Sequence, residues 1–217
     1  IHAHDWLVAT AATKVKDVFG KPLVSTIHAT ETGRRGGIHD EYQEAINEVE
    51  RHLINQSSRV ICCSNYMAGQ IYQTFDMPKE KLSVIRNGVD VSKFNVRTDA
   101  EAARRRYAKP GEKMVVYVGR LVHEKGVHVL VNAVSKVLEK TNAKFIIVGN
   151  GYMKEQLTGI IKSLGLEHKV IFTGFVDDET LRKLQTCADV SIVPSLFEPF
   201  GIVALEAMAA KSPVVVS

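Results

Sequence analysis

The 217-residue sequence predicts an α/β fold made of two units, each built on a mostly parallel β-sheet. Short runs of apolar residues, typical of strands buried on both faces, alternate with stretches that have the apolar spacing of amphipathic helices. This alternation stops once, at the polar and charged residues 91–113, and then resumes. Pro110 and Gly111 in that segment favour a turn. We therefore expect two α/β domains joined by a connection.

The first domain is expected to contain βαβ units. Its strands are predicted at residues 23–28, 59–64 and 82–86, and its helices at 6–18, 40–56 and 67–74. A helical stretch between two apolar runs lets consecutive strands lie parallel in one sheet. Ile1 lies at what we interpret as the end of another strand, so this domain is expected to be incomplete.

The second domain repeats the pattern with more apolar strands. They are predicted at residues 114–119, 145–149, 170–174, 190–194 and 214–216, with helices at 127–140, 154–164, 178–186 and 202–210. The last strand ends next to Ser217, so this domain is also expected to be incomplete. We place the domains at residues 1–92 and 113–217 and the connection at 93–112. Parallel α/β sheets bind ligands at the carboxyl ends of strands, so functional residues are expected there.

Composition argues against several classes of protein. The formal net charge of +4 is weaker than the basic charge of most nucleic-acid-binding domains. The one basic cluster, residues 104–106, is expected on a solvated helix face. No apolar run approaches the roughly 20 residues that span a bilayer. The three cysteines lack the spacing of metal ligands, so we expect buried thiols in a reducing compartment and a cytoplasmic protein without a metal site.

Residues 119–126 follow a strand and open a helix. Backbone N–H groups and the helix dipole attract anions at such a position. Arg120 and Lys125 add two positive charges there; an arginine can bind two phosphate oxygens and a lysine acts as a point charge. This combination suits a diphosphate. A turn with two surface cations of no function is the alternative.

A second polar segment contains Glu198, eight residues before Glu206. At about 3.6 residues per turn, Glu198 would lie at the mouth of a helix and Glu206 inside it, on nearly the same face. Ala, Leu and Met residues surround Glu206, where an unpaired carboxylate is costly to bury. A ribose diol or a structural hydrogen bond to the backbone would provide its partner. A glycosidase pair is a further alternative, although no sequence spacing predicts the separation it requires.

In the first domain, polar residues gather at two strand ends. His2, His4 and Asp5 follow one strand, and His28 ends the next. His and Asp at such a position can bind sugar hydroxyls, which we favour over the alternative that the histidines hold a metal ion. The glycine-rich residues 33–37 are expected to form a mobile loop whose arginines could contact an anionic or polyhydroxyl ligand.

Several short segments occur in a distinctive order along the chain. They are His2-Ala3-His4-Asp5-Trp6, His28, Asn87-Gly88-Val89-Asp90, Gly119-Arg120 with Lys125-Gly126, Gly149-Asn150-Gly151, Phe172-Thr173-Gly174-Phe175, and Glu198-Pro199-Phe200-Gly201 leading to Glu206. In this order and spacing they resemble the family-4 retaining glycosyltransferases of GT-B fold, a group that includes glycogen and starch synthases and sucrose synthases. The resemblance implies two Rossmann-like domains, both incomplete in this chain, the first on the acceptor side and the second for the nucleotide sugar.

The resemblance also implies which residues act. The implied catalytic residues are Arg120, Lys125, Glu198, His28 and Asp5. The implied donor-binding residues are Gly119, Arg120, Lys125, Asn87, Gly149, Val176, Glu198, Phe200, Gly201, Ile202 and Glu206. Arg120 and Lys125 would bind the diphosphate, Glu198 the sugar hydroxyls and Glu206 the ribose. No metal or cofactor is expected, because the two cations replace one.

The activity implied by the resemblance is hexosyl transfer, with glucosyl expected first, to an acceptor hydroxyl with retention of configuration. The donor would be a nucleotide sugar, ADP-glucose or UDP-glucose. Residues 2–6 are most similar to the glycogen and starch synthase branch, which implies an α-glucan as the carbohydrate acceptor. The alternatives are a cell-surface glycan, glycolipid or small-molecule acceptor, a UDP-sugar epimerase, and a non-catalytic carbohydrate- or nucleotide-binding module. No nucleic-acid partner or transmembrane segment is expected, and the oligomeric state is left open.

Overall fold

The computed structural model describes residues 1–94 and 100–217. This part of the chain divides into two compact units, Ile1–Asn87 and Gly88–Ser217. In each unit, parallel strands form one sheet and helices connect them, which confirms the α/β class and two Rossmann-like domains. Within the described residues, no helix is both long enough and apolar enough to cross a membrane.

Unit 1 carries a four-stranded parallel sheet in the order β1-β2-β3-β4. Its elements are β1 (His2–His4), α1 (Ala9–Phe19), β2 (Val24–Ile27), α2 (Glu31–Arg35), α3 (Glu41–Gln56), β3 (Arg59–Cys62), α4 (Asn65–Phe75) and β4 (Leu82–Val84), with 3-10 turns at Trp6–Val8 and Lys79–Lys81. The helix α2 stands where a mobile loop at residues 33–37 was expected. Thr30 caps this helix by accepting a hydrogen bond from the Gly33 N–H at 3.0 Å, so the first glycine of that segment lies inside a helix.

Unit 2 carries a five-stranded parallel sheet in the order β7-β6-β5-β8-β9. Its elements are α5 (Ala100–Arg105), β5 (Lys113–Val118), α6 (Val127–Leu138), β6 (Ala143–Val148), α7 (Lys154–Ser163), β7 (Val170–Gly174), α8 (Asp178–Cys187), β8 (Val190–Val193), α9 (Ile202–Ala209) and β9 (Val214–Val216), with 3-10 turns at Val91–Phe94 and His123–Lys125. From β5 the chain continues to β6 and β7 on one side, and then returns to β8 and β9 on the other. Such a reversal of strand order leaves a crevice at the carboxyl ends of the central strands, where ligands of open α/β sheets bind.

Both faces of the unit 2 sheet are buried. Because alternate strand residues point to opposite faces, Phe145 and Ile147 pack with α6 and α7, whereas Ile146 and Val148 pack with α5 and α8. All four side chains are almost inaccessible to solvent. Burial on both faces requires nearly continuous apolar strands, and this is the pattern that predicted them.

Arg104 joins α5 to the sheet of unit 2, although the sequence predicted a solvated position. Its guanidinium donates to Asp189 Oδ2 at 2.6 Å and to the Cys187 carbonyl oxygen at 2.9 Å. The Met114 N–H also donates to Asp189, at 2.7 Å. Burial of the Asp189 carboxyl opposes ionisation, but these hydrogen bonds outweigh it and hold its pKa below the usual value. The helix of the expected connection therefore packs as part of unit 2.

Replacing Arg104 with methionine is expected to lower the free energy of unfolding by about 2 kcal/mol, because Asp189 would keep a partly buried charge with fewer partners. Urea denaturation at about pH 7 and about pH 3 measures this loss. A carboxyl with a depressed pKa stabilises the fold above its usual pKa and loses that contribution as the pH falls, so the difference should shrink at the lower pH. Arg106→Met, at an exposed position in the same segment, is the control. Equal losses at both pH values would show that the charge of Asp189 contributes nothing and that Arg104 acts through packing and its bond to the Cys187 carbonyl oxygen.

Candidate functional site

The loops that follow β5 and β8 lie side by side at the crevice of the unit 2 sheet. The N–H groups of Leu196 and Phe197 both donate to the Glu124 carbonyl oxygen, at 2.9 and 3.1 Å. These bonds join the loop after β5 to the loop after β8. The strand order therefore places the two polar segments singled out in the sequence, residues 119–126 and 195–201, next to each other.

Gly126 permits this close approach. Its φ is 62°, a left-handed conformation that favours glycine. A Cβ built at Gly126 would lie 1.7 Å from the Pro194 carbonyl oxygen, which is backbone and cannot rotate away. The absence of a side chain at Gly126 thus brings its neighbour Lys125 up to the loop after β8.

Lys125 and Glu198 form an ion pair across this junction. Lys125 Nζ lies 2.7 Å from Glu198 Oε2, and Ser195 Oγ donates to the same oxygen at 2.9 Å. The two charged side chains are 23% and 28% exposed, so a ligand can reach both. The sequence predicted separate contacts for them, to a diphosphate and to a sugar, and the structure brings the two residues into direct contact. An anion bound here would compete with Glu198 for the lysine.

Arg120 extends into solvent beside the same loop. Its side chain is 66% exposed, and its Nη2 lies 3.1 Å from Glu124 Oε1, in an i,i+4 pair that solvent weakens. The Arg120 carbonyl oxygen accepts a hydrogen bond from the Tyr117 hydroxyl at 2.9 Å. Burial raises the pKa of Tyr117, and the nearby charge of Glu198 adds to the shift, so the phenol keeps its proton and this bond. The backbone of Arg120 is held in place while its guanidinium stays in solvent.

A cavity of about 330 Å³ opens at the carboxyl ends of β5, β6 and β7. Four of its lining residues were predicted to bind the donor: Gly119, Arg120, Gly149 and Val176. The others were given no role from the sequence, although two of them, Asn150 and Phe175, lie in segments that carry the family resemblance. They are Val118, Val148, Asn150, Phe175 and Leu181. Four of them end a strand or lie one or two residues after its end, which is the signal that could have identified them. Leu181 lies on α8 and, like the other apolar residues, resembles a core residue. An apolar cavity with few polar groups suits a planar heterocycle.

Glu206 lies inside α9, whereas Glu198 lies in the loop before that helix. The chain enters α9 through Phe200, Gly201 and Ile202. Because the helix starts only at Ile202, helical spacing does not relate the two carboxylates as expected from the sequence. Burial raises the pKa of Glu206, although the neighbouring Gln185 amide opposes the shift. Gln185 is itself buried, so its amide gives the Glu206 carboxyl a polar neighbour within the protein.

In unit 1, Asp5 adopts a strained backbone conformation directly after β1. Its φ of 57° and ψ of −179° lie in a region that glycine almost alone adopts, at a cost of about 1–3 kcal/mol for other residues. Asp5 Oδ1 accepts a hydrogen bond from the His28 N–H at 2.8 Å, and its own N–H donates to the Thr26 carbonyl oxygen at 3.0 Å. The structure thus brings Asp5 and His28 together. Asn87 is half-buried and is the last residue of unit 1.

Three imidazole rings lie beside one another at this strand end. His4 Nδ1 lies 2.9 Å from His28 Nε2, and the ring centroids of His2 and His4 are 4.4 Å apart. His2 Nε2 lies 2.8 Å from Thr26 Oγ1, and burial, followed by the charge of His4, lowers the pKa of His2. The ring nitrogens therefore contact each other and a hydroxyl. In residues 1–94 and 100–217, no group of three or more His, Cys, Asp or Glu side chains could hold a metal ion, so the metal alternative has no support there.

Two buried glutamates were not predicted as functional residues. Glu31 lies in the segment that follows His28, and Glu50 lies on α3. Glu50 shares the buried face of α3 with Ile46 and Leu53. Glu50 lies four residues after Ile46 and three before Leu53, a helical spacing that could have identified it as buried. A glutamate on an apolar face needs a partner, and Glu50 contacts the Glu31 N–H.

Two family models match the chain. One described as Glycosyl transferases group 1 matches residues 99–217, and one described as Glycosyltransferase Family 4 matches residues 1–93. The first alone covers more than half of the chain.

Individual proteins are similar to almost the whole chain. An uncharacterized glycosyltransferase of Methanocaldococcus jannaschii is 41% identical, over 100% of this chain and 57% of that protein. A glycogen synthase of Mycobacterium tuberculosis is 38% identical, over 100% of this chain and 51% of that protein. The crystal structure of Anabaena HepE in complex with UDP and glucose has a TM-score of 0.85 and 25% identity, over 99% of this chain and 58% of that one. The chain therefore spans about half the length of the curated relatives it matches.

Proposed function

This chain belongs to the group 1 glycosyl transferases and has the GT-B fold, and from that premise we propose that it transfers a hexosyl group from a nucleoside diphosphate sugar to an acceptor hydroxyl. We propose glucose as the sugar, an α-glucan as the acceptor and retention of configuration. Similarity to a glycogen synthase supports the glucan, and the complex of HepE with UDP and glucose supports the donor. Because the chain spans about half of its relatives, the activity is proposed for the complete protein.

The observation that carries this proposal is the Lys125–Glu198 pair at the crevice of unit 2. The donor diphosphate would displace Glu198 from Lys125, and the released carboxylate would accept hydrogen bonds from the sugar hydroxyls. Arg120 and Lys125 would then stabilise the charge that develops on the departing diphosphate. The base would occupy the 330 Å³ cavity and Glu206 would bind the ribose.

The proposed chemical step breaks the bond between the sugar C1 and the diphosphate oxygen, and forms a bond between C1 and the acceptor oxygen on the same face. The acceptor proton passes to the departing diphosphate, so the step needs no protein nucleophile. Asp5, His28 and Asn87 would line the sugar and the acceptor. The cations at 120 and 125 would supply the charge that a metal ion supplies in other transferases.

A different acceptor, a UDP-sugar epimerase and a binding module without activity stay open as alternatives. The combination of Arg120, Lys125, Glu198 and Glu206 favours a transferase over the last two. We also propose a cytoplasmic location, since the three cysteines are buried, as the thiols of a protein in a reducing compartment commonly are.

Release of nucleoside diphosphate by the complete protein is the test. ADP-glucose and UDP-glucose are each offered with a malto-oligosaccharide, and NMR assigns the anomer formed. We expect one donor to be consumed as the glucan lengthens in the α-configuration, and Glu198→Ala to lower the rate by about a hundredfold or more. Glu155→Ala, at an exposed position of α7, is the control that should keep the rate. Turnover of neither donor would contradict the glucan proposal, and equal rates in both variants would contradict the role of Glu198.

A further inference from the structure

The backbone that follows His28 is held by three side-chain acceptors in succession. Asp5 Oδ1 accepts from the His28 N–H at 2.8 Å, and Thr30 Oγ1 accepts from the Gly33 N–H at 3.0 Å. Between them, the two carboxylate oxygens of Glu50 accept from the Glu31 N–H at 3.0 and 3.1 Å. Asp5 belongs to the proposed site itself, and Thr30 is the cap of α2. Of these three acceptors, Glu50 is the one that reaches the backbone from a separate helix, α3.

Charged side chains surround the Glu50 carboxyl. Glu50 is 1% exposed, and Arg34 Nη2 lies 3.2 Å from its Oε1. Arg34 also pairs through Nε with Glu31 Oε2 at 3.2 Å, and Arg35 Nε lies 3.3 Å from Glu31 Oε1. Both arginines of the glycine-rich segment are therefore paired within the protein. The charges that face Glu50 are those of Arg34 and Glu31 on α2 and of Asp5 after β1.

We propose that Glu50 is a positioning residue for the acceptor side of the site, acting through the backbone that it holds beside His28. We call its contacts with the Glu31 N–H and with Arg34 the Glu50 anchor. The inference rests on the proposed function, in which Asp5 and His28 line the sugar and the acceptor. A shift of about 1 Å in such a segment can cost about a hundredfold in rate, so a buried anchor at this point has catalytic consequences.

The Glu50 anchor should respond to pH near neutrality. Burial raises the pKa of Glu50 to about 7, although the Glu31 N–H and the charge of Arg34 both oppose that shift. Above this pKa the carboxylate is ionised and can bind both partners. Below it the protonated carboxyl loses most of its attraction for Arg34. A raised pKa also means that the folded state binds the extra proton, so the contribution of Glu50 to stability is fully present below its usual pKa and is lost as the pH rises through about 7. Ionisation thus tightens the anchor while it weakens the fold.

Glu50→Gln separates the charge of the anchor from its hydrogen bond, because the amide oxygen can still accept from the Glu31 N–H. The variant is made in the complete protein, beside Glu50→Ala and the control Glu48→Gln, an exposed glutamate on α3. Hydrogen exchange of residues 28–37 without ligand is measured from about pH 6 to about pH 8 and corrected for intrinsic exchange. Local opening of residues 28–37 removes the Glu31 N–H and Arg34 from the Glu50 carboxyl. In the wild type and the control, protection should therefore rise as Glu50 ionises through about pH 7, and in Glu50→Gln it should stay flat. Glu50→Ala should show lower protection than the other proteins at every pH, while the bonds to Asp5 and Thr30 remain.

Transfer kinetics then test the positioning role. Wild-type kcat/KM for the acceptor should fall about tenfold from pH 8 to pH 6, mainly through KM, whereas Glu50→Gln should show no such fall and should match the wild type at pH 6. A Glu50→Gln protein with the wild-type pH dependence of exchange would overturn the anchor, and one with wild-type acceptor KM at pH 8 would overturn the positioning role. Failure of the proposed function is distinguishable: the wild type would transfer no sugar at any pH, yet its exchange would still change through pH 7.

Discussion

Lys125→Ala is expected to lower kcat/KM for the nucleotide-sugar donor by about two to three orders of magnitude, with a small change in stability. Loss of one group that stabilises developing charge in a transition state costs about this much. The effect on stability should be about 1 kcal/mol or less, because the Lys125–Glu198 pair is partly exposed and such pairs contribute little to folding. A large loss of kcat/KM with little loss of stability is expected if Lys125 binds the ligand. A purely structural role would instead lower both together.

Steady-state kinetics and calorimetric titration with the free nucleoside diphosphate measure this prediction. Nucleotide affinity should fall with kcat/KM, because the lysine contacts the diphosphate in the proposed complex. Lys162→Ala, at an exposed position near the end of α7, is the matched control. A double-mutant cycle with Glu198→Gln should show that the two changes are not additive in nucleotide affinity, since each residue is the other's partner in the free protein. Unchanged nucleotide affinity together with a large loss of stability would contradict the proposed role of Lys125.

The fold was predictable from the sequence because the strands of unit 2 are buried on both faces. Residues such as Phe145 and Ile146 point to opposite sides of β6 and both need apolar surroundings, so the strand becomes a continuous apolar run that no other element explains as well. The order β7-β6-β5-β8-β9 then follows from where the chain reverses, and that reversal places the loops after β5 and β8 together. The pattern thus predicted functional residues at the carboxyl ends of the strands. The order of the strands, which brings these two loops together, was not predicted and comes from the structure.

Contacts between side chains were not predictable in the same way. The Lys125–Glu198 pair joins residues 73 positions apart, and it depends on a close backbone approach at Gly126 that no sequence pattern indicates. Arg104 was expected in solvent because its neighbours are basic, yet it binds Asp189, 85 residues away. Glu50 carried a usable signal, since its spacing on α3 is that of a buried residue. Glutamate usually lies in water, but a partly buried arginine partner such as Arg34 overrides that preference here.

Gly126→Ala is expected to destabilise unit 2 by more than about 4 kcal/mol or to prevent its folding. The new Cβ would have to occupy space 1.7 Å from the Pro194 carbonyl oxygen, and the left-handed φ of 62° adds its own cost of about 1–2 kcal/mol for a residue with a side chain. Relief of the clash would require the loops after β5 and β8 to separate. Lys125 would then withdraw from Glu198, so any folded fraction should bind nucleotide as weakly as Lys125→Ala does.

Substitutions at two other glycines separate the cost of the left-handed φ from the cost of the clash with Pro194. Gly165→Ala shares the left-handed conformation, with φ of 66°, but a Cβ there meets nothing within 4 Å, so it should cost only the strain of about 1–2 kcal/mol. Gly159→Ala lies inside α7 with open space around it and should stabilise the protein by up to about 1 kcal/mol. Urea denaturation of the three variants orders them. If Gly126→Ala lost no more than Gly165→Ala, the contact with Pro194 would not hold the two loops together. The link between strand order, loop contact and the Lys125–Glu198 pair would then be wrong, and with it the structural basis of the proposed donor site.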